Sequence, residues 1–278
     1  MKSILLGLLA LTFVSSQAQR SVSDISLPMN KNIISKNEMV QNLDMGMGML
    51  MNTNITTVMQ YNVIGLTGDE YLISRKLTAT KMNMEMMGQK QTYDSDLKSD
   101  ADTEIGKEMS KHLNVPDTFS YNWKTGKATM ISTKQDSTDE SNPMEGMIKS
   151  IGGGSQELVI EDIFFPVMNS KNEGDKWVDS LSSKDLNYTK NYTLVKKGKT
   201  NEVSFSNDIK NIIETETQGI TLTINMDTKS DGSMTVDAST SLVLNKKSSA
   251  TINGNFEIMG QTSLISGTTT NTITTEVK

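Results

Sequence analysis

The segment Ile220-Thr221-Leu222-Thr223-Ile224-Asn225-Met226-Asp227 alternates apolar and polar residues without a break, and runs of the same kind recur along the chain. A period of two places every second side chain on one face of an extended strand, so one face is buried and the other is wet. Pro occurs 4 times and Cys not at all, while Thr, Ser and Asn are abundant. Such a chain has few prolines to end its strands and no disulfides to hold them, so its fold rests on covering one face of a sheet.

The pattern can be followed strand by strand. Met45, Met47, Met49 and Met51 alternate with Gly46, Gly48 and Leu50, which predicts the first of three long antiparallel strands. Ile55, Met59, Tyr61 and Val63 share a parity in the second, before a turn at Thr67-Gly68-Asp69. In the third, Tyr71, Ile73, Leu77 and Ala79 are apolar at odd positions but Met82, Met84 and Met86 at even ones. That change of phase calls for a β-bulge near Thr80-Lys81 or an exchange of buried face.

The period then changes. Ala101, Ile105, Met109 and Leu113 recur every four residues, and Ser99 with Asp102 forms a capping box, predicting an amphipathic helix over Ser99–Leu113. Phe119–Trp123 and Ala128–Ser132 read as a hairpin. A second short helix is capped by Asn142 and Pro143, carries Met144, Met147, Ile148 and Ile151, and ends at Gly152-Gly153-Gly154, a candidate hinge. Glu157–Phe165 fits either a helix or a buried strand.

After Pro166 the chain returns to strands: Trp177–Leu181, Asn187–Lys196, Thr200–Ser206, Ile209–Thr217 and Ile220–Asp227. A hairpin turn at Asp231-Gly232 precedes Ser233–Asp237, Leu242–Ile252, Asn255–Met259 and Ser263–Glu276. Met84–Gln89 faintly echoes Phe256–Gln261, a weak sign of a duplicated half. The expected fold is mainly β: a large curved antiparallel sheet or half-barrel with one or two short amphipathic helices. Residues 19–278 form one domain, with two lobes joined near 133–155 as the other division.

Residues 1–18 read as a signal peptide, with Lys2 as the basic start, Ile4–Val14 as the apolar stretch and Ser16-Gln17-Ala18 as the cleavage site. The apolar stretch is much shorter than the roughly 20 residues of a membrane-spanning helix. The expected product is exported, periplasmic or secreted, and does not span a membrane; without cysteine it carries no lipid anchor. The 27 basic and 33 acidic residues are dispersed, which argues against nucleic acid as a partner.

Catalytic chemistry finds little to work with. His112 is the single histidine and reads as a helix residue, and Ser155 reads as an N-cap without the context of a nucleophile elbow. Asp94, Asp96, Asp100, Asp102 and Glu104 are dense enough for calcium, but an EF-hand reading from Asp94 puts Lys98 and Ser99 where a ligand and the glycine belong. They suit the start of a helix instead. No catalytic residue, no metal site and no cofactor is expected.

The methionines remain. Half of the chain's 20 lie between Met39 and Met87, and Met45, Met47, Met49, Met51, Met59, Met82, Met84 and Met86 are the candidate ligand-lining set. Unbranched, polarizable side chains make an adaptable apolar wall. Clustered thioethers also bind Cu(I) or Ag(I), but no His or Cys stands nearby to reinforce such a site.

At Phe165-Pro166, Gly174-Asp175-Lys176-Trp177 and Tyr93-Asp94-Ser95-Asp96 the chain resembles a family of exported bacterial proteins of unknown function, domain-of-unknown-function family 6263. The resemblance runs from about Asn42 to Thr275. It implies a Gram-negative envelope protein with an antiparallel β fold, and it supplies no catalytic residues. Gly174-Asp175 would make a turn that delivers Trp177 to the core. The expected function is non-catalytic binding of an apolar small molecule or lipid; the alternatives are thioether metal binding and a purely structural role.

Overall fold

The computed structural model describes residues 26–46, 48–133, 156–167, 171–183, 186–217, 220–258 and 260–278. The signal peptide, the second expected helix with its hinge, Ser155 and Met47 lie outside them. Among the described residues twelve strands form one antiparallel sheet. They are β1 (Asn32–Asp44), β2 (Leu50–Thr67), β3 (Glu70–Met86), β4 (Gln89–Asp94), β5 (Pro116–Asn122), β6 (Lys127–Thr133), β7 (Lys176–Ser182), β8 (Leu186–Lys196), β9 (Thr200–Thr217), β10 (Ile220–Asp237), β11 (Val243–Ile258) and β12 (Gln261–Val277). Three short helices accompany them among the described residues: α1 (Lys98–Ala101), α2 (Glu104–Ser110) and α3 (Gln156–Ile163).

The spatial order is β6-β5-β3-β2-β1-β12-β11-β10-β9-β8-β7, with β4 paired to the second half of β3. Strands from both sides of residues 134–155 therefore share one sheet. β5 pairs only with Glu70–Lys76 of β3, and β8 only with Glu202–Asn211 of β9. The sheet is thus wide at one end, where β5 to β8 are present, and continues at the other as the longer central strands. It stays open, because β6 and β7 are not paired to each other.

The two edges nevertheless meet. Lys127 at the start of β6 donates from Nζ to Asp179 of β7 at 2.7 Å and to the Tyr188 hydroxyl of β8 at 2.8 Å. This side-chain clasp curls the sheet around α3, whose Ile160 and Ile163 are buried with Phe164 among Ile33, Tyr61, Val63, Ile73, Phe119 and Tyr121. On the other side, Phe165 packs with Trp177 and Tyr192 against a second cluster of Leu194, Val203, Met234, Val236 and Val243. The plug is tied to both flanks: Tyr121 donates to the Phe164 carbonyl at 2.7 Å, and the Phe165 amide to the Ser241 carbonyl at 2.8 Å.

The phase change in β3 is a bulge. Val58 pairs with Ala79 and Met59 with Leu77, so Thr78 is extra, and its hydroxyl donates to the Val58 carbonyl at 3.0 Å. Tyr71, Ile73 and Arg75 before it, and Thr80, Met82, Met84 and Met86 after it, all point inward.

Four expectations are corrected. The strand predicted through Met45–Met49 is a turn between β1 and β2: Gly46 and Gly48 have φ of 74° and 76°, a left-handed backbone that glycine adopts at little cost. The helix Ser99–Leu113 is broken into α1 and α2; Ser99 and Asp102 form no capping box, and Thr103 caps α2 by accepting from the Gly106 amide at 3.0 Å. Asp231-Gly232 is not a turn but lies within β10, where a Cβ on Gly232 would sit 2.7 Å from the Phe205 ring. β9 and β11, each expected in two pieces, run unbroken. The undecided stretch Glu157–Phe165 is α3 with its two-residue tail.

The echoed motifs occupy like positions at the end away from the plug: Met87-Gly88 turns β3 into β4, and Gly260 turns β11 into β12, all with positive φ. The Gly174-Asp175 turn delivers Trp177 to the second cluster, as expected; Gly174 has φ of 88° and donates to the Leu194 carbonyl at 2.7 Å.

Candidate binding face

The register converts the sheet into transverse rows of inward side chains. One row reads Gln91, Met84, Thr53, Gln41, Thr269, Ala250, Ser230, Asn207, Lys190 and Asp179, one residue from each of ten strands. It is mostly polar. The next row away from the plug reads Met86, Met51, Leu43, Gly267, Ile252, Thr228, Ile209 and Tyr188, and it is mostly apolar. Beyond it lie Ile265, Gly254 and Met226, then Phe256 and Ile224. Outward neighbours such as Asn42, Asn52, Asn83 and Thr268 are exposed.

The candidate methionines fall unevenly on this face. Met51 and Met84 are buried, Met82 and Met59 half-buried, and Met86 is exposed at the lip. Met51 and Met86 are direct cross-strand partners, a closer arrangement than two ladders separated by a middle strand. Met45 and Met49 close the β1–β2 turn through a 2.9 Å backbone bond and are half-buried there. Residues that periodicity alone did not single out complete the lining: Leu43 on β1, and Ile252, Ile265, Ile209 and Met226 on strands half a chain away.

Among the described residues, eight buried side-chain oxygens on this face have no hydrogen-bond partner: Asn37 Oδ1, Gln41 Oε1, Thr53 Oγ1, Thr80 Oγ1, Gln91 Oε1, Asn207 Oδ1, Asn271 Oδ1 and Thr275 Oγ1. Four of them share the polar row. A buried polar group without a partner ordinarily costs about 1–3 kcal/mol, so a fold tolerates few without cause.

The plug carries charge as well as apolar surface. Glu161 meets Lys127 at 3.5 Å and accepts from the Ala128 amide, while Asp162 meets Lys246 at 2.8 Å. Burial pushes Glu161 above the usual carboxylate range against the pull of Lys127 and Lys190. Burial also raises Asp162, but Lys246 and Lys190 outweigh it and hold the carboxyl below that range. Burial disfavours the Lys127 ammonium, yet its bonds to Asp179 and Tyr188 and the charge of Glu161 hold it above the usual lysine range. Arg75 and Asp117 form a further buried pair at 2.7 Å beside Phe119.

The acidic stretch after β4 is a structural junction. Asp94 and Asp96 pair with Lys81, and Asp100 accepts from the Asp94 amide at 2.9 Å. Among the described residues no group of three or more His, Cys, Asp or Glu could hold a metal ion, and no helix is long and apolar enough to cross a membrane.

No known protein family matches the chain, and no curated protein matches it. Among solved structures, one of lipovitellin that describes its lipid–protein interactions superposes with a TM-score of 0.54 at 11% identity, covering 91% of this chain. The likeness is one of fold. The chain spans 26% of that lipovitellin chain, about a quarter of its length. The outer-membrane protein OccK5 (OpdH) of Pseudomonas aeruginosa aligns over 92% of this chain and 100% of its own, at 6% identity and a TM-score of 0.24, too low to bear on the fold.

Proposed function

We propose that this chain is an exported, non-catalytic envelope protein that holds an apolar or lipid-like molecule against the concave face of its sheet. The observation that carries the reading is the layering of that face. The plug gathers the two apolar clusters at one end, while Met51, Met84, Ile252 and Ile265 are buried outside both clusters, in the half where the described residues supply no second sheet. A lipid-like molecule seated between these residues would be held by the hydrophobic effect, at about 25 cal/mol per Å² of apolar area removed from water. The lipovitellin-like fold supports the reading, because lipid–protein interactions are described for that neighbour. Export after Ala18 and membership of the resembled envelope family belong to the same proposal.

Native mass spectrometry of the protein purified from its own host's envelope tests it. The mature chain should begin at Gln19, without acyl modification, and carry a non-covalent lipid-sized mass that organic solvent removes. A retained copper ion that is lost when Met51, Met84 and Met86 are changed to Leu would favour thioether metal binding instead. A bare chain in every preparation would leave the structural role.

A further inference from the structure

We infer that the lip of the sheet, built by the β1–β2 turn, the β3–β4 turn and the outer end of β12, docks on a zwitterionic lipid layer, into which Met87, Leu50 and Leu264 insert. This goes beyond the binding reading above and stands on different residues, all three of which are open to solvent in the fold.

Met87 carries the argument. It is the first residue of the two-residue turn Met87-Gly88 between β3 and β4, and both residues have positive φ, 54° and 76°. Such a turn favours Asn-Gly, because a left-handed backbone is cheap for glycine, tolerable for asparagine and costly for a large side chain. The other described non-glycine residues with positive φ are Asn30, Asn114 and Ser241, all small and polar. Met87 gains no packing in return, since it is 68% exposed. A side chain that strains its turn and buries nothing points to something outside the chain that takes it up.

Its neighbours extend it into a patch. The Met87 amide donates to the Leu50 carbonyl at 3.4 Å, and Met86 pairs with Met51. The turn preceding Leu50 is closed by the Met45 amide on the Met49 carbonyl, and its Gly46 lies against β12, where a Cβ would sit 3.2 Å from the Leu264 carbonyl oxygen. Leu50 is 57% and Leu264 73% exposed, and Met86 is exposed between them and the concave face.

Area and charge decide what covers the patch. With Met86, these side chains offer roughly 150–300 Å² of apolar area, against about 800 Å² that each partner buries in a stable protein interface. A second protein would find too little to hold. A lipid layer needs no complementary shape and takes up protruding side chains singly, as interfacial segments do to a depth of about 5–10 Å. No charged residue occurs in residues 45–68 or 258–275, and Glu85 and Lys90, which flank residues 86–89, pair with each other at 3.9 Å. Among the described residues the lip thus carries no basic cluster for anionic headgroups, which suits it to a zwitterionic surface.

The experiment measures partitioning of the mature protein onto phosphatidylcholine vesicles by flotation, with and without added phosphatidylglycerol or salt. The wild type should float with the vesicles, and anionic lipid or salt should change its partition by less than about twofold. Met87→Asn suits the left-handed turn, so this variant should fold at least as well as the wild type while losing about tenfold in partition, and Met87→Asn/Leu50→Thr/Leu264→Thr should lose at least about a hundredfold. Leu66→Thr, at an exposed leucine on the opposite end of β2, should change nothing. Because the chain has no cysteine, Met87→Cys takes a single environment-sensitive fluorophore, whose emission should shift to the blue on vesicles while a label on Leu66→Cys does not. Partition that Met87→Asn leaves unchanged, a label at position 87 that stays in water, or binding that requires anionic lipid overturns the inference. A dimer in equilibrium sedimentation that Met87→Asn dissolves also overturns it, as does a wild type that fails to float. Each of these leaves the concave-face reading in place, because native mass spectrometry tests that separately.

Discussion

Replacing Thr53 by Val should stabilise the protein, although Thr53 lies within β2 and is only 1% exposed. The two side chains have nearly the same shape, so packing is retained and only the hydroxyl is exchanged for a methyl. The Thr53 hydroxyl has no hydrogen-bond partner, and leaving such a group buried costs about 1–3 kcal/mol. Valine also suits a strand better than a buried, unpaired polar group does. Taking the lower end, Thr53→Val should add about 1 kcal/mol, raising Tm by roughly 2–4 °C for a chain of this size. Thr80 presents the same situation two inward rows away, about 13 Å along the strand, so the double variant should add about 2 kcal/mol. Urea unfolding followed by the fluorescence of Trp123 and Trp177 measures this, with the midpoint rising and the slope unchanged. Destabilisation by more than about 0.5 kcal/mol would mean that the hydroxyl is satisfied in the folded protein.

Two further outcomes follow from the plug. Lys127→Met removes the clasp between the sheet edges and leaves Glu161 and Asp179 without their cation; with Lys127 39% exposed at its side chain, the cost should be about 2 kcal/mol. Hydrogen exchange should accelerate in β6 and β7 but not in β1 or β12, and uniform acceleration would contradict a local clasp. Asp162 and Glu161 should act oppositely on acid stability: the lowered pKa of Asp162 gives stability that is present above its ordinary value of 3.8 and lost below it, whereas the raised pKa of Glu161 gives stability that is present below 4.5 and lost as pH rises through its folded value. Asp162→Asn should therefore flatten the fall in stability below about pH 4, and Glu161→Gln should flatten the loss above it; chemical unfolding from pH 2 to 8 reads both.

The strands were legible because a period of two is local. Tyr61 and Val63, Tyr71 and Ile73, and Met82, Met84 and Met86 lie on the face their spacing assigns, and the break in phase within β3 is the extra residue Thr78. Glycine misled in two ways. Gly46 and Gly48 stand every second residue because a tight turn needs two left-handed positions, and their alternation with Met45, Met47 and Met49 in the sequence imitates a strand. Gly232 follows an aspartate as a turn glycine would, but it is small so that Phe205 can pack across it. The helix Ser99–Leu113 failed where Gly106 packs against the Asp100 carbonyl, a contact that periodicity does not encode. The binding face was illegible for a broader reason: each transverse row takes one residue from every strand, and the register that aligns them is set across the whole chain.

That register also shows where folding and function pull apart. A sheet that needed only to bury one face would carry apolar residues in every inward row, as the clusters around Phe164 and Phe165 do. The row through Thr53 and Gln41 departs from this in strand after strand, and it lies between the plug and the apolar lip rather than at an edge, where water would satisfy it without cost. Consistency between local pattern and global fold is what makes a sequence specify one structure, so a sustained departure at one level of the sheet marks a demand other than folding. The charged plug sits near it: Asp162 binds Lys246, and Lys246 stands two inward rows, about 13 Å along the strand, from Ala250 in the polar row. A ligand held against the concave face would border α3, so the residues that fix the plug would also define how deep it could go.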